Sequence, residues 1–263
     1  MTSYFSYPKD YSYFYWLLLA GALPHYYQLY KEKPYSNFMI FHNWTIPLSL
    51  IIVLGTLAKM NGELMLIAYI RLLGLFFMVG DTDFFNQQKP INNGFKIIGT
   101  LGTLILLLSL SFDGFWEKLR GRDFQIDQLI TAPEFIASLI ISLLAAILFY
   151  LQYKNKPSDQ LKPIASVFIL FIITFLLGLY MPISVVLINL NVFAIGILTM
   201  REGSRIDHLG VLNLGLLIIT ALVICRFFDK DLSFILRGMM FLTVGAGFFV
   251  TNYMMLKKRN KNV

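Results

Sequence analysis

Long uncharged runs alternate with short charged segments along the whole chain, and the runs are about as long as a bilayer is thick. The last fifth shows the pattern most clearly. Gly210 to Cys225 carries no charged residue, RFFDKD follows as a charged turn, and Gly238 to Leu256 is uncharged again before a basic C-terminus. A helix of nineteen residues measures about 28 Å, close to one hydrocarbon core. The pattern predicts a helical hairpin in a membrane.

The rest of the chain repeats this pattern. Pro163 to Met200 is uncharged over thirty-eight residues, with Pro182 near its middle, and predicts two helices joined by a tight turn at residues 180–182. The other runs predicted to cross are Tyr11–Tyr30, Asn37–Ala58, Leu64–Gly80, Ile97–Phe112 and Phe135–Tyr153. The predicted fold is an all-α, polytopic transmembrane helical bundle of about nine spans, forming a single integral-membrane domain over residues 1–263.

The composition agrees with a membrane protein. Apolar residues make up 57% of the chain and charged residues only 14%, whereas a soluble domain carries about a quarter charged residues. The net charge of +7 is therefore interpreted as asymmetry between loops and not as a nucleic-acid-binding patch. The single cysteine, Cys225, excludes an intrachain disulfide and a CxxC metal site. His25, His42 and His208 lack metal-ligand spacing, so no metal or cofactor is predicted.

Lys and Arg collect on the cytoplasmic side of a membrane protein, so the loop charges predict an orientation. With nine spans, one side holds Lys9, Lys59, Lys118, Arg120, Arg122, Arg226 and Lys230. The other side holds Lys31, Lys33, Lys89, Lys96, Lys154, Lys156, Lys162, Arg201, Arg205, Lys257, Lys258, Arg259 and Lys261. The richer side is predicted to be cytoplasmic, which places the C-terminus in the cytoplasm.

Three polar residues inside apolar runs are candidates for a functional role. Arg71 lies about 10 Å into its predicted span, where a charge costs about 2.5 kcal/mol or more. It either snorkels or pairs with a helix carbonyl, or it takes part in binding a substrate or coupling ion. Asn189 and Asn191 face different sides of their helix, and interhelical hydrogen bonds are the simpler interpretation for both.

A second candidate cluster surrounds the turn of the closing hairpin. Arg226 and Arg237 bracket Asp229 and Asp231 at one membrane face. The planar guanidinium holds a carboxylate with two hydrogen bonds, so the pattern predicts a charge-paired clamp, with an anion or headgroup site as the alternative.

No enzymatic signature stands in the sequence: HExxH, GxSxG, a P-loop and GxGxxG are all absent. The segment Asp113 to Asp127 interleaves acidic and basic residues with aromatic and aliphatic ones. That spacing suits a short amphipathic helix on the outer surface, a solvated loop, or a segment that docks a partner protein.

Three stretches carry a resemblance to a known family. They are LPHYYQLYKEKPYSNFMIFHNW, TAPEFIASLI and the closing segment with Arg226 to Asp229, Arg237-Gly238 and Asn252. In this order they resemble the C-terminal part of bacterial predicted membrane proteins called the domain of unknown function 2157 family. The resemblance covers most of the chain and implies a multi-pass protein of a bacterial inner membrane without an assigned activity. It also implies that an N-terminal region usual in the family is missing here.

These observations favour an integral membrane protein that is a non-catalytic component or accessory subunit, in contact with the lipid bilayer and with a membrane or soluble protein partner, and without nucleic acid. The alternative is a small-solute transporter with a polar site around Arg71. A transporter predicts polar groups converging on one cavity and usually an internal repeat, and no convincing repeat is present. An intramembrane enzyme is disfavoured because the spans supply almost no acid, base or metal groups.

Overall fold

The structure is a computed structural model that describes residues 14–58, 62–120, 131–154 and 162–227, with isolated stretches between 233 and 253. Over these residues the chain forms helices and no strand. The helices are α1 Phe14–Glu32, α2 Asn37–Gly55, α3 Gly62–Gly80, α4 Asp83–Asn86, α5 Gly94–Leu110, α6 Asp113–Arg120, α7 Pro133–Tyr153, α8 Pro163–Tyr180, α9 Ser184–Arg205 and α10 Leu209–Phe227. The predicted all-α fold is confirmed for this part of the chain.

Local chemistry explains where several helices begin and end. Ser36 caps α2, because its side chain accepts a hydrogen bond from the backbone N–H of Met39 at 3.2 Å. Pro133 and Pro163 each occupy the first position of a helix, where a missing N–H costs nothing. Helix α9 stops where Asp207 takes a left-handed conformation with φ of 51°, and His208 then accepts a hydrogen bond from Val211 N at the start of α10.

Five of these helices are long and apolar enough to cross a membrane, namely α2, α7, α8, α9 and α10. A sixth crossing results if α5 and α6 count together, although they are bent by 69° at a break. The apolar part of α3, Leu64–Gly80, is a shorter helix. The described residues therefore support a membrane-embedded protein with five or six candidate spans, and they do not support the predicted count of about nine.

Three predicted spans are not among these candidates. Helix α1 forms as predicted, but its second half, PHYYQLYKE, is too polar for a crossing. Helix α3 is nineteen residues long, but the apolar stretch described within it, Leu64–Gly80, is shorter and contains Arg71, so α3 does not count among the five. Of the predicted span Gly238 to Leu256, residues 238–239, 241–243, 245–247, 249–250 and 253 are described and helical, and the others lie outside the described residues. The prediction for residues 163–200 is confirmed as two helices, with α8 ending at Tyr180 and α9 beginning at Ser184.

The chain divides into two compact units. Unit 1 comprises residues 1–106 and 119–172, and unit 2 comprises residues 107–118 and 173–263. The core of unit 1 is a cluster of buried apolar side chains from α2, α3, α4 and α5: Ile46, Leu54, Met65, Ala68, Leu72, Leu73, Phe76, Phe85 and Phe95.

Glycine lets the helices of each unit approach closely. In unit 1 a Cβ at Gly80 would lie 2.4 Å from Lys96 N, and one at Gly99 would lie 2.4 Å from Phe77 N. The backbones of α3 and α5 are therefore nearly in contact. In unit 2 a Cβ at Gly203 would lie 2.3 Å from Leu212 N. Small residues at such crossings are typical of helices that pack in a membrane.

Candidate functional site

Several helix ends of unit 1 meet at one end of the unit, which we call the lysine end. Trp16 donates to Thr56 Oγ1 at 3.2 Å near the other end, so α1 and α2 run antiparallel. The connection from α1 to α2, the segment from α3 to α5, the end of α7 and the start of α8 lie at the lysine end. Its cations in the described residues are Lys31, Lys33, Lys89, Lys96, Lys154 and Lys162.

Asp81 organises the buried part of the lysine end. It follows the last residue of α3, and its side chain is only 5% exposed. Lys96, in the first turn of α5, donates from Nζ to Asp81 Oδ1 at 2.8 Å, and Lys162, just before α8, donates to the same oxygen. Two ammonium groups and one carboxylate thus join three segments of unit 1 and leave one positive charge in excess. We call these three residues the Asp81 centre.

Neighbouring side chains hold this geometry. Asn93 donates to the carbonyl of Gly80 at 2.7 Å, and its Oδ1 accepts from Lys96 N at 3.0 Å, which fixes the end of α3 to the start of α5. Asn86 donates to Asp81 O at 2.9 Å, and its Oδ1 accepts a second hydrogen bond from Lys96 Nζ at 3.1 Å. These contacts satisfy backbone groups that the ends of α3 and α5 leave open.

Burial and charge act in opposite directions on the pKa of Asp81. Burial alone raises that pKa, because it disfavours the carboxylate form. The hydrogen bonds and positive charges of Lys162 and Lys96 outweigh burial, so the pKa of Asp81 lies below its ordinary value. The Asp81 carboxylate is therefore ionised at neutral pH and balances one of the two positive charges that hold it.

Unit 1 also contains an apolar cavity of about 580 Å³, which is open on one side, since Ile136, Ile140 and Leu144 in its wall are each about half exposed. Its walls come from α1, α2, α3, α5 and α7: Trp16, Leu50, Leu54, Leu57, Leu72, Leu75, Phe76, Val79, Phe95, Pro133, Ile136, Ala137, Ile140, Ile141 and Leu144. Its volume falls in the range of small-molecule sites, about 300–1,000 Å³. Val79 and Phe95 bring the cavity wall to within two residues of Asp81 and one residue of Lys96 in the chain.

Arg71 lies in the middle of α3 and reaches across to α7. Its Nη1 donates to the carbonyl oxygen of Ser138 at 3.2 Å and to Ser138 Oγ at 2.7 Å. Pairing with a helix carbonyl was one of the structural roles considered for this residue. The buried Nε of Arg71 has no hydrogen-bond partner among the described residues.

In unit 2 the polar contacts gather at the break between α5 and α6. Arg226, in the last turn of α10, donates from Nη2 to the carbonyl of Ser111 at 2.6 Å and to Ser111 Oγ at 3.1 Å. Its guanidinium lies 4.7 Å from the ring centre of Phe112. Asn189 donates to the same Ser111 carbonyl at 3.3 Å, and Trp116 donates to Leu110 O at 2.8 Å. We call this set the Ser111 break.

The structure thus brings together two residues that the sequence analysis had considered separately, Arg226 and Asn189. Asn191 is half-buried two positions further along α9. Asp229, Asp231 and Arg237 lie outside the described residues, so the clamp stays a prediction. The first part of the segment Asp113 to Asp127, predicted as a short amphipathic helix, forms α6. In α6 Trp116 and Leu119 are buried and Glu117 is exposed.

Sequence reasoning missed the Asp81 centre. Lys96 was counted as a loop charge able to snorkel, and Asp81 and Lys162 stood in unremarkable loops. The one available signal was an acidic residue directly at the end of an apolar run. Its partners stand 15 and 81 residues away, so nothing local indicated the pairing.

Among the described residues no group of three His, Cys, Asp or Glu side chains is placed to hold a metal ion. The rings of His25 and His42 lie 5.3 Å apart, edge to face. Comparison of the chain with protein-family models, with curated proteins and with solved structures finds no match. The function must therefore be argued from the geometry alone.

Proposed function

We propose that the protein is a non-catalytic integral membrane component, working as an accessory subunit beside a protein partner. The observation that carries this proposal is that the charged side chains at the Asp81 centre and at Arg71 join helices of unit 1 to one another. The Asp81 centre ties α3, α5 and α8 together, and Arg71 ties α3 to α7. The cavity between the helices is lined by apolar side chains. Such an arrangement suits a scaffold better than a path for polar solutes or a reaction centre.

The test is purification from native membranes in a mild detergent, followed by identification and quantification of co-purifying proteins. A scaffold subunit is expected to retain one partner in fixed molar ratio through size-exclusion chromatography. Asp81→Asn should reduce the yield of that complex, whereas Asp83→Asn, two residues away and exposed on α4, should leave it unchanged. A protein that runs alone at all detergent concentrations contradicts the accessory role.

A small-solute transporter is the second candidate, and the Ser111 break favours it. Discontinuous helices whose freed backbone groups face polar side chains mark substrate sites in many transporters. For this function Arg71→Leu is expected to abolish solute uptake into proteoliposomes while leaving expression intact, because Arg71 is the deepest charge in α3. Unchanged uptake in Arg71→Leu would assign Arg71 to the structural role that its bond to Ser138 supports.

We further propose that the lysine end and the C-terminus both face the cytoplasm of a bacterial inner membrane. Six cations gather at the lysine end, and Lys257, Lys258, Arg259 and Lys261 close the chain. A cytoplasm-dependent fluorescent protein fused after Val263 should therefore be bright. A periplasm-dependent phosphatase that is active in the same position would reverse the orientation. Membership of the domain of unknown function 2157 family remains part of the proposal.

A further inference from the structure

The apolar cavity of unit 1 has the chemistry of a site for a hydrocarbon chain. Its lining presents no charged side chain, and a polar solute placed there would lose its hydrogen bonds to water without replacement. An apolar space of this kind favours apolar guests over water. Because α2 and α7 are candidate membrane spans, the apolar molecules at hand are the acyl chains of lipids.

The outer faces of the same helices support this environment. On α7 the side chains of Leu139, Leu143 and Ile147 are each more than half exposed, as expected for a helix that borders lipid. Along α7 the cavity wall extends from Pro133 to Leu144, about 16 Å at 1.5 Å per residue. A chain lying along α7 would therefore follow roughly half the thickness of a hydrocarbon core.

The positive charge of the Asp81 centre, close in the chain to two residues of the cavity wall, indicates a lipid with a negatively charged headgroup. Phe95 lines the cavity and Lys96 follows it directly, while Val79 precedes Asp81 by two residues. The Asp81 centre carries one excess positive charge, and the side chains of Lys96 and Lys162 keep 31% and 28% of their surface exposed. Both lysine side chains are thus partly accessible from outside the protein. A lipid phosphate has the charge and the hydrogen-bond acceptors to complete their coordination.

We propose that unit 1 binds a phospholipid with an anionic headgroup, one acyl chain lying in the cavity and the phosphate group contacting Lys96 and Lys162. This site does not depend on the accessory role proposed above, since scaffold and transporter alike can carry a structural lipid. It also differs from the general lipid boundary, where neither the headgroup nor the cavity residues matter.

Native mass spectrometry of delipidated protein, titrated with phosphatidylglycerol or with phosphatidylcholine of the same chains, tests the proposal. The first lipid molecule is expected to bind about fivefold more tightly as phosphatidylglycerol, the preference given by one positive charge at a membrane surface. Lys162→Gln should remove this preference while leaving the shared chain-dependent affinity. Lys154→Gln is the matched control, because Lys154 is exposed at the same end but lies outside the Asp81 centre.

The acyl chain is tested separately. Ala137→Phe narrows the cavity and should weaken the binding of both lipids at least tenfold. If Ala137→Phe does not fold, fluorescence quenching in a protein with an unaltered cavity tests the same point. Phosphatidylglycerol with brominated acyl chains should quench tryptophan fluorescence, and the quenched fraction should fall in Trp16→Phe, because Trp16 lines the cavity. Equal affinities for the two lipids, or quenching unchanged by Trp16→Phe, would overturn the proposal.

Discussion

The Asp81 centre of unit 1 and the Ser111 break of unit 2 solve the same problem by different chemistry. In both, a helix ends or breaks and leaves backbone groups that need partners in an apolar setting. In unit 1 a carboxylate draws two lysines together, and asparagine side chains bond the open carbonyls. In unit 2 the cation itself bonds a carbonyl, since Arg226 donates to Ser111 O and stacks on Phe112.

The difference shows what each site requires of its residues. The Asp81 centre depends on charge balance, because without the Asp81 carboxylate the ammonium groups of Lys96 and Lys162 would lie close together with no negative charge between them. The Ser111 break depends on hydrogen-bond geometry, because a flat guanidinium reaches carbonyl, hydroxyl and aromatic ring at once. Charge and shape can be changed independently by mutation, so the two regions are separable by experiment.

The largest effect is expected for Asp81→Asn. The substitution keeps the shape of the side chain but leaves Lys96 and Lys162 without their anion, which should lower the free energy of unfolding by about 3 kcal/mol. Thermal unfolding in detergent measures the change. Asp83→Asn, exposed on α4, is the control and should alter stability by no more than about 0.5 kcal/mol. Equal effects of the two substitutions would show that Asp81 contributes no buried charge balance.

A smaller loss is expected for Arg226→Gln, about 2 kcal/mol, because the Ser111 carbonyl loses a charge-assisted hydrogen bond. Arg226→Lys keeps the charge but not the planar fork and should recover less than half of the loss. The same thermal measurement applies, with Arg201→Gln on the exposed side of α9 as the control. Full recovery by lysine would mean that charge alone matters at the Ser111 break, and the comparison between the two regions would fail.

The predicted clamp sharpens the comparison further. If Asp229 and Arg237 are paired, unit 2 also contains a carboxylate that balances a cation, as unit 1 does. In a double-mutant cycle, Asp229→Asn and Arg237→Gln should then be less than additive by about 1 kcal/mol. Additive losses would leave these residues as solvated groups or as an anion site.

The smallest effect is expected from pH. The pKa of Asp81 is lower in the folded protein than the value near 3.9 of an unfolded aspartate, so ionised Asp81 stabilises the fold above about pH 4. This stabilisation is lost as the pH falls through the lower, folded-state pKa. The melting temperature of the unaltered protein should therefore fall more steeply on acidification below pH 4 than that of Asp81→Asn. Parallel curves would indicate that the lysines do not hold the Asp81 carboxylate.

The sequence by itself determined the helical class and most of the candidate spans. Helices α2, α7, α8, α9 and α10 each lie mostly within an uncharged run of the sequence. The turn after Tyr180 was predicted from Pro182. Hydropathy succeeds here because a helix satisfies its own backbone, so its formation and its preference for lipid depend on local composition alone. The same local pattern also predicted crossings at α1 and α3, which do not count among the candidate spans, since the second half of α1 is polar and α3 carries Arg71 at its middle.

Tertiary structure alone decided where the charged side chains meet. Asp81 and Lys162 are 81 residues apart, and Arg226 and Ser111 are 115 apart, so no sequence spacing indicates either pairing. Lys96 reaches Asp81 because Gly80 lets α3 lie against the backbone of α5, and Ser111 is accessible because α5 and α6 bend by 69° there. Periodicity shows which face of a helix is apolar, but the partner of a polar group depends on how helices cross, which is a property of their packing.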